Sequence, residues 1–151
     1  MKKIIFCILT TVILSGCLSA KYKDISQDPQ YSHFIGQKYQ SINPLLIYGV
    51  TRDTTPQKQL HYYTITDPPG IGGPEIVSRG QLEPGSVFQI KKVLDCINCL
   101  VSSSVEFRVD LLSTNDYSKQ EIRITDRFEK LLFTTIDNKI QINPNLFKKI
   151  D

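Results

Sequence analysis

The sequence predicts an all-β protein, a small single-domain, partly open barrel or sandwich of the SH3-like or OB-like kind. Apolar and polar residues alternate in several short segments, and this alternation is the period of half-buried strands. No segment carries a convincing helical repeat, and the candidate strands recur about every ten residues. Because the strands are short, few and mostly consecutive, we favour the partly open barrel over the sandwich.

Two of the candidate strands are expected to form a hairpin. Residues 105–111 alternate apolar and charged side chains throughout, and residues 120–125 repeat the pattern. The residues 113–116 between them are typical of a turn, so the two strands should pair antiparallel. All seven candidate strands cover residues 45–51, 59–66, 86–94, 105–111, 120–125, 131–136 and 139–142.

Local irregularities refine this assignment. In the strand 86–94, Val93 is out of phase with Phe88, and a bulge near Lys91 and Lys92 would restore the register. The strand 45–51 is apolar on both faces, so we expect it to be central. Asp137-Asn138 predicts a two-residue turn. Asn143-Pro144 is expected to end the last strand, and residues 126–129 to form one helical turn.

The N-terminal segment has the pattern of a secretory signal. Lys2 and Lys3 precede the apolar run 4–14, whose 11 residues are well short of the roughly 20 that span a bilayer. The run is closed by Leu14-Ser15-Gly16-Cys17, which resembles the lipobox of bacterial lipoproteins. In that family the cysteine receives a diacylglycerol, a peptidase cuts just before it, and the new amine is acylated. The alternative is an ordinary signal peptide cut after Ala20.

The lipobox resemblance implies three regions and a location. Residues 1–16 would be the signal peptide, 17–31 the lipidated N-terminus with a flexible tether, and 32–151 the β domain. Asp after the lipidated cysteine tends to retain Gram-negative lipoproteins in the inner membrane, and here Leu18 occupies that position. The expected location is therefore the periplasmic face of the outer membrane, or the outside of the only membrane in a Gram-positive cell.

Charge and motif content limit the functions open to this chain. It has 18 Lys and Arg against 15 Asp and Glu, and two of the lysines leave with the signal. Such a balance gives no electrostatic footprint for nucleic acid and no polybasic patch for anionic lipid. His61 has no nucleophile or orienting acid paired with it by motif, so we assign no catalytic residue, cofactor or metal.

Cys96 and Cys99 form a Cys-x-x-Cys motif with three possible roles. A redox motif needs its first cysteine at a helix N-terminus, whereas this pair follows a strand and precedes no helical pattern. A zinc site needs about four ligands, and only two distant histidines accompany the pair. A disulfide that clamps the loop needs nothing more, and export favours it.

The segment 67–75 is the second unusual feature, with three prolines and three glycines. Prolines lack backbone N–H donors, and no helix or P-loop lysine follows, so phosphate binding is not indicated. The choice lies between a rigid exposed connection and a loop that contacts a partner, since loops on β scaffolds often carry binding. The candidate contact residues are Pro68, Pro69, Gly70, Gly72, Gly73, Pro74, Glu75 and Arg79.

Glu106, Arg108 and Asp110 share one strand face and are expected to form a charged outer surface. Our first functional hypothesis is a membrane-anchored, non-catalytic binding module that recognises an envelope protein or a cell-wall component. The alternative is a periplasmic enzyme, a thiol-disulfide oxidoreductase that uses Cys96 and Cys99.

Overall fold

The computed structural model describes residues 20–99, 105–114, 116–126, 133–136 and 139–151. Within these residues the protein is all-β, with eleven strands and one turn of 3-10 helix at Ser32–Phe34. The strands are β1 (Tyr22–Asp24), β2 (Lys38–Ser41), β3 (Leu45–Val50), β4 (Tyr62–Thr66), β5 (Ile76–Leu82), β6 (Val87–Cys96), β7 (Val105–Leu111), β8 (Glu121–Asp126), β9 (Phe133–Ile136), β10 (Lys139–Ile142) and β11 (Phe147–Ile150).

Nine strands form one open sheet in the order β11-β2-β6-β7-β8-β4-β3-β5, with β1 paired to β6. Strand β6 is ten residues long, so it pairs with β2 near its start and with β1 at its end. The pair β4–β8 is parallel, and every other pair in the sheet is antiparallel. Strands β9 and β10 form a separate antiparallel pair.

One hydrophobic core lies on one face of this sheet. Phe147 of β11 and Leu82 of β5, from the two ends of the strand order, belong to the same buried cluster. The sheet must therefore curve around that cluster, as expected for a partly open barrel. The most completely buried side chains are Phe88, Phe107, Leu45, Ile47, Ile90, Ile124 and Val93.

The central hairpin and the bulge are confirmed. Strands β7 and β8 pair antiparallel, with Val109 opposite Ile122 and Phe107 opposite Ile124, all four facing the core. The register of β6 against β7 shifts between Ile90 and Lys92, so Lys91 is the extra residue of the bulge. The bulge brings Val93 back to the core face, where it is fully buried.

Four strands were missed, and several predicted boundaries differ. Strands β1, β2 and β11 have three or four residues each, too few for alternation to be visible, and Gly80 interrupts the apolar pattern of β5. Asn143-Pro144 ends the strand 139–142 as predicted, but that strand is not the last, because the Asn143 side chain accepts a hydrogen bond from Asn145 N–H in a turn that leads into β11. Strand β4 begins at Tyr62, and Asp126 ends β8. Residues 127–132, 137 and 138 lie outside the described part of the chain, as do the predicted helical turn and two-residue turn there.

The predicted tether is wrong from Tyr22 onward. Strand β1 pairs with the end of β6, and the Ser26 hydroxyl accepts a hydrogen bond of 2.9 Å from Val93 N–H. The polar composition of this segment concealed the pairing, because an edge strand is held by its backbone rather than by apolar side chains. The lipobox and residues 1–19 lie outside the described residues.

Tyr39 makes stability sensitive to high pH. Its side chain is buried against Phe88, with ring centroids 5.9 Å apart, and burial raises the pKa of Tyr39 to about 12. The unfolded phenol ionises near pH 10, so between about pH 10 and 12 the unfolded state loses its proton more readily. We expect the free energy of unfolding to fall across this range, by at most about 1.4 kcal/mol per pH unit from this group. Urea titrations at several pH values measure this: between about pH 10 and 12 the free energy of unfolding of Tyr39→Phe should fall less steeply with pH than that of wild type. Parallel dependence on pH in the two proteins would contradict this.

Candidate binding surface

Strand β3 is covered on both faces. Leu45 and Ile47 face the core, whereas Tyr48 is buried on the opposite face, which we call the outer face. Residues 67–75 cross this outer face, from the end of β4 beside Leu46 to the start of β5 beside Val50. Both β4 and β5 run antiparallel to β3 and flank it. The Pro- and Gly-rich segment is thus a crossover that lies on the sheet.

Gly70 allows the crossover to lie directly on Tyr48. Its N–H donates to Asp67 O at 2.9 Å, and its φ of 82° is in the left-handed region that glycine adopts most readily. A Cβ at this position would lie 2.8 Å from Leu46 Cδ1 and would collide with the Tyr48 hydroxyl. Further along, Thr51 N–H donates to Glu75 O, and Lys58 Nζ donates to Pro74 O. These contacts fix the crossover at both ends.

The predicted contact residues lie together on this crossover and on the adjacent strand. Gly70 is partly buried, and the Arg79 guanidinium lies 5.9 Å from the centroid of the Tyr48 ring. Ile71, between the predicted residues, is one of the exposed large hydrophobic side chains. The exposed members of the predicted set are Pro68, Pro69, Gly72, Gly73, Pro74, Glu75 and Arg79.

Strand β5 is an edge of the sheet. Among the described residues it pairs only with β3, so its second edge has no partner strand in that part of the chain. The register shifts where Ile76 faces Val50 and Ser78 faces Gly49, which leaves Val77 without a partner on β3. Val77 is exposed beside the crossover. Sequence reasoning missed this edge because β5 itself was missed.

A buried charge cluster joins β7 and β8 on the outer face. Arg108 Nη2 lies 2.5 Å from Glu106 Oε1, and Arg108 Nη1 also pairs with Glu121. Arg123, directly opposite Arg108, pairs with Glu121 at 2.6 Å and with Glu106 at 3.6 Å. Two cations and two anions therefore alternate, which offsets the repulsion between the facing arginines. Burial lowers the pKa of Arg108, and the Glu106 carboxylate opposes that shift.

Aromatic rings flank this cluster. The Arg123 guanidinium lies 3.8 Å from the centroid of Tyr62, and Arg52 approaches the same ring to 5.5 Å. Burial raises the pKa of Tyr22, and the neighbouring Glu106 carboxylate raises it further. Glu106 and Arg108 share one strand face, as predicted, but their side chains are buried in this ion-pair network and do not form an exposed charged surface. Asp110 is separate from the cluster and pairs with Lys91 at 3.4 Å.

Cys96 and Cys99 are joined by a disulfide, with their Cα atoms 5.7 Å apart. The turn that it closes also holds the start of β1. Ile97 N–H donates to Lys21 O at 3.0 Å, and Asn98 Oδ1 accepts from Lys21 N–H at 2.6 Å. Cys96 is buried and ends β6, a strand, so it does not stand at the N-terminus of a helix.

Removing the disulfide should weaken the attachment of β1. The bridge closes a loop of four residues, for which chain entropy predicts about 2 kcal/mol of stabilisation. We expect Cys96→Ser combined with Cys99→Ser to lose about this much in denaturant unfolding, and amide exchange in β1 to become faster. Reduction of the wild-type protein should reproduce both changes. An unchanged unfolding midpoint together with unchanged exchange would contradict the clamp.

The structure also brings His61 close to two polar side chains. His61 Nε2 lies 3.8 Å from Asp53 Oδ1, and His61 Nδ1 lies 3.4 Å from the Thr51 hydroxyl. The backbone N–H of Arg52 also donates to Nδ1, at 3.3 Å. Thr51 is buried, and its oxygen accepts from Asp53 N–H, so it is not presented to a substrate. These contacts organise the turn between β3 and β4.

Across the described ranges, His, Cys, Asp and Glu nowhere form a group of three or more that could hold a metal ion. In the same ranges no helix is long and apolar enough to cross a membrane. Comparison of the chain with protein-family models, curated proteins and solved structures gives no match.

Proposed function

We propose that this protein is a lipid-anchored bacterial envelope protein that acts as a non-catalytic binding module. Acyl chains on Cys17 would hold it to the membrane, on the periplasmic face of the outer membrane in a Gram-negative cell. The anchor rests on the resemblance of Leu14-Ser15-Gly16-Cys17 to a lipobox. Two or three acyl chains on one residue would make the attachment practically permanent, since a single chain binds only marginally.

One observation carries the binding role: the crossover 67–75 is fixed on Tyr48 next to the edge of β5, which has no partner strand among the residues that the structure describes. A surface that is already ordered loses little conformational entropy on binding. An edge strand can accept an extended segment of a partner through backbone hydrogen bonds, while side chains such as Val77 and Ile71 supply selectivity. The chemistry therefore favours an extended protein segment over a cell-wall glycan.

Loss of the anchor is the first test. Cys17→Ser removes the thiol that would be acylated, so we expect no lipid labelling and an accumulation of precursor or soluble protein. The measurement is metabolic labelling with an alkyne fatty acid, followed by separation of membrane and soluble fractions. Cys7→Ser is the matched control, because Cys7 lies within the signal and should leave labelling intact. Labelled, membrane-bound Cys17→Ser protein would refute the anchor.

The binding surface is tested by site-specific photocrosslinking in intact cells. A photoreactive residue at Ile71 should capture one dominant envelope protein, identified by mass spectrometry. The same residue at Leu112, also exposed but beyond the end of β7, is the matched control. Equal capture from both positions, or none from Ile71, would count against this surface. Capture of cell-wall fragments alone would indicate that the partner is a glycan and not a protein.

A thiol-disulfide oxidoreductase is the second candidate, favoured by the Cys-x-x-Cys disulfide itself. Catalysis would require one cysteine to attack a substrate disulfide as a thiolate, which releases one substrate thiolate and leaves a mixed disulfide. The other cysteine would then attack that mixed disulfide, release the second substrate thiolate and form the Cys96–Cys99 disulfide, which an external dithiol would reduce before the next turnover. Thiol titration of the folded, reduced protein against pH tests this. A thiol that reacts well below its ordinary pKa would support the enzyme, whereas an unreactive pair would support a structural clamp.

A further inference from the structure

The first described residues of the chain lie beside the disulfide turn. The turn 96–99 accepts from and donates to the backbone of Lys21, and Tyr22 lies opposite Cys96 in the β1–β6 pair. Strand β1 therefore begins beside this turn. Ile97 lies at the tip of the turn and is 60% exposed, more than any other large hydrophobic side chain whose burial the structure describes.

Very little chain separates this end from the proposed anchor. Cys17 is four residues before Lys21, and four residues extend at most about 14 Å. The acyl chains of Cys17 would place that residue in the headgroup layer, which is roughly 5–8 Å thick on each side of a bilayer. A tether this short cannot let the domain rotate freely, because the point where it is attached must face the membrane.

From this geometry we infer that the Cys96–Cys99 turn is the membrane-facing end of the domain and that Ile97 inserts into the lipid headgroup layer. The inference rests on the proposed lipid anchor at Cys17. The occupant of this surface is the bilayer that holds the acyl chains. Strand β6 then runs away from the membrane, and its opposite end carries Leu112, whose N–H donates to Val87 O at 2.7 Å. Ten strand residues place these two ends about 30 Å apart.

The chain has no tryptophan, so a single introduced tryptophan reports its own environment. We would place it at Ile97 or at Leu112, which is 48% exposed at the far end. Each lipidated variant is incorporated into phosphatidylcholine vesicles with brominated acyl chains, which quench tryptophan only at membrane depth. In these vesicles the tryptophan emission of Ile97→Trp should shift to shorter wavelength and be quenched. The emission of Leu112→Trp should be the same with the vesicles as in detergent-free buffer without them. Equal quenching of the two variants would overturn the inference.

A lengthened tether provides a second test. Ten Gly and Ser residues inserted between Ser19 and Ala20 would lengthen the tether from four to fourteen residues, whose r.m.s. span as a flexible coil is roughly 20 Å, without altering the described fold. Quenching of Ile97→Trp should then decrease, and unchanged quenching would overturn the role of the short tether. The mass of the purified protein distinguishes a failure of the proposed anchor from a failure of the proposed orientation. A protein without lipid would refute the proposed anchor, whereas a lipidated protein without selective quenching would refute only the orientation.

Discussion

Gly70→Ala should lower the free energy of unfolding by about 3 kcal/mol. Two costs contribute to this loss. The φ of 82° is unfavourable for alanine, and the new methyl group would meet Leu46 and the Tyr48 hydroxyl. Tyr48 is buried beneath the crossover, so the loop would have to lift for the methyl group to fit. Capture of a partner at Ile71 should fall as well, because the same displacement disorders that surface.

Gly72→Ala is the matched control for this prediction. Gly72 lies in the same crossover, but a Cβ there would meet nothing within 4 Å. We expect its free energy of unfolding to stay within about 0.5 kcal/mol of wild type. Chemical denaturation of both variants measures the difference. Similar stability of the two variants would show that the crossover is not held against Tyr48 as described.

Glu106→Ala should also cost about 3 kcal/mol of stability. The Glu106 side chain is only 4% exposed and lies beside Arg108 and Arg123. Its removal would leave two buried guanidinium groups facing each other across β7 and β8, with only Glu121 between them. The loss of stability therefore comes mainly from leaving buried guanidinium groups without a neutralising partner, and less from the lost attraction of one ion pair. Unfolding in denaturant at neutral pH measures it.

Asp110→Ala separates this effect from a general loss of acidic charge. Asp110 belongs to the same strand and the same outer face, but its side chain is 57% exposed, and its one ion pair within the described ranges is with Lys91. Exposed ion pairs contribute at most about 1 kcal/mol and are screened by salt. We expect a small loss that disappears at high ionic strength. A cost for Asp110→Ala equal to that for Glu106→Ala would contradict the buried network.

The local features of the sheet could be predicted from sequence because they depend on neighbouring residues. Alternation identified β7 and β8, and the phase error at Val93 located the bulge at Lys91. The disulfide turn was predictable for the same reason, since Cys96 and Cys99 are close in the chain. In each case one short pattern contains all of the information.

The long-range features could not be predicted in this way. The parallel pairing of β4 with β8 joins Tyr62 to Glu121, and no local pattern encodes it. Strand β1 is held by backbone bonds to β6, so its composition looks like that of a linker. The crossover was visible as an unusual segment, but its position on Tyr48 depends on β5, which the sequence did not reveal.

The charged face of β7 was predictable, whereas its burial was not. Alternation placed Glu106 and Arg108 on the outer surface, where single charges are normally solvated. Their burial requires Arg123 and Glu121 from the next strand. The edge at Val77 likewise depends on a register shift between two strands. Sequence patterns on one strand cannot report such cross-strand arrangements.

The most direct test of the proposed function is the mass of the mature N-terminal peptide, measured on protein extracted from bacterial membranes. The proposal predicts a peptide that begins at Cys17, with a diacylglycerol on its thiol and an acyl group on its amine. A lipid-free peptide that begins at Lys21 would indicate cleavage after Ala20, and an intact peptide from Met1 would indicate an uncleaved segment. Either of these results would contradict the lipid anchor and the membrane-facing orientation that follows from it.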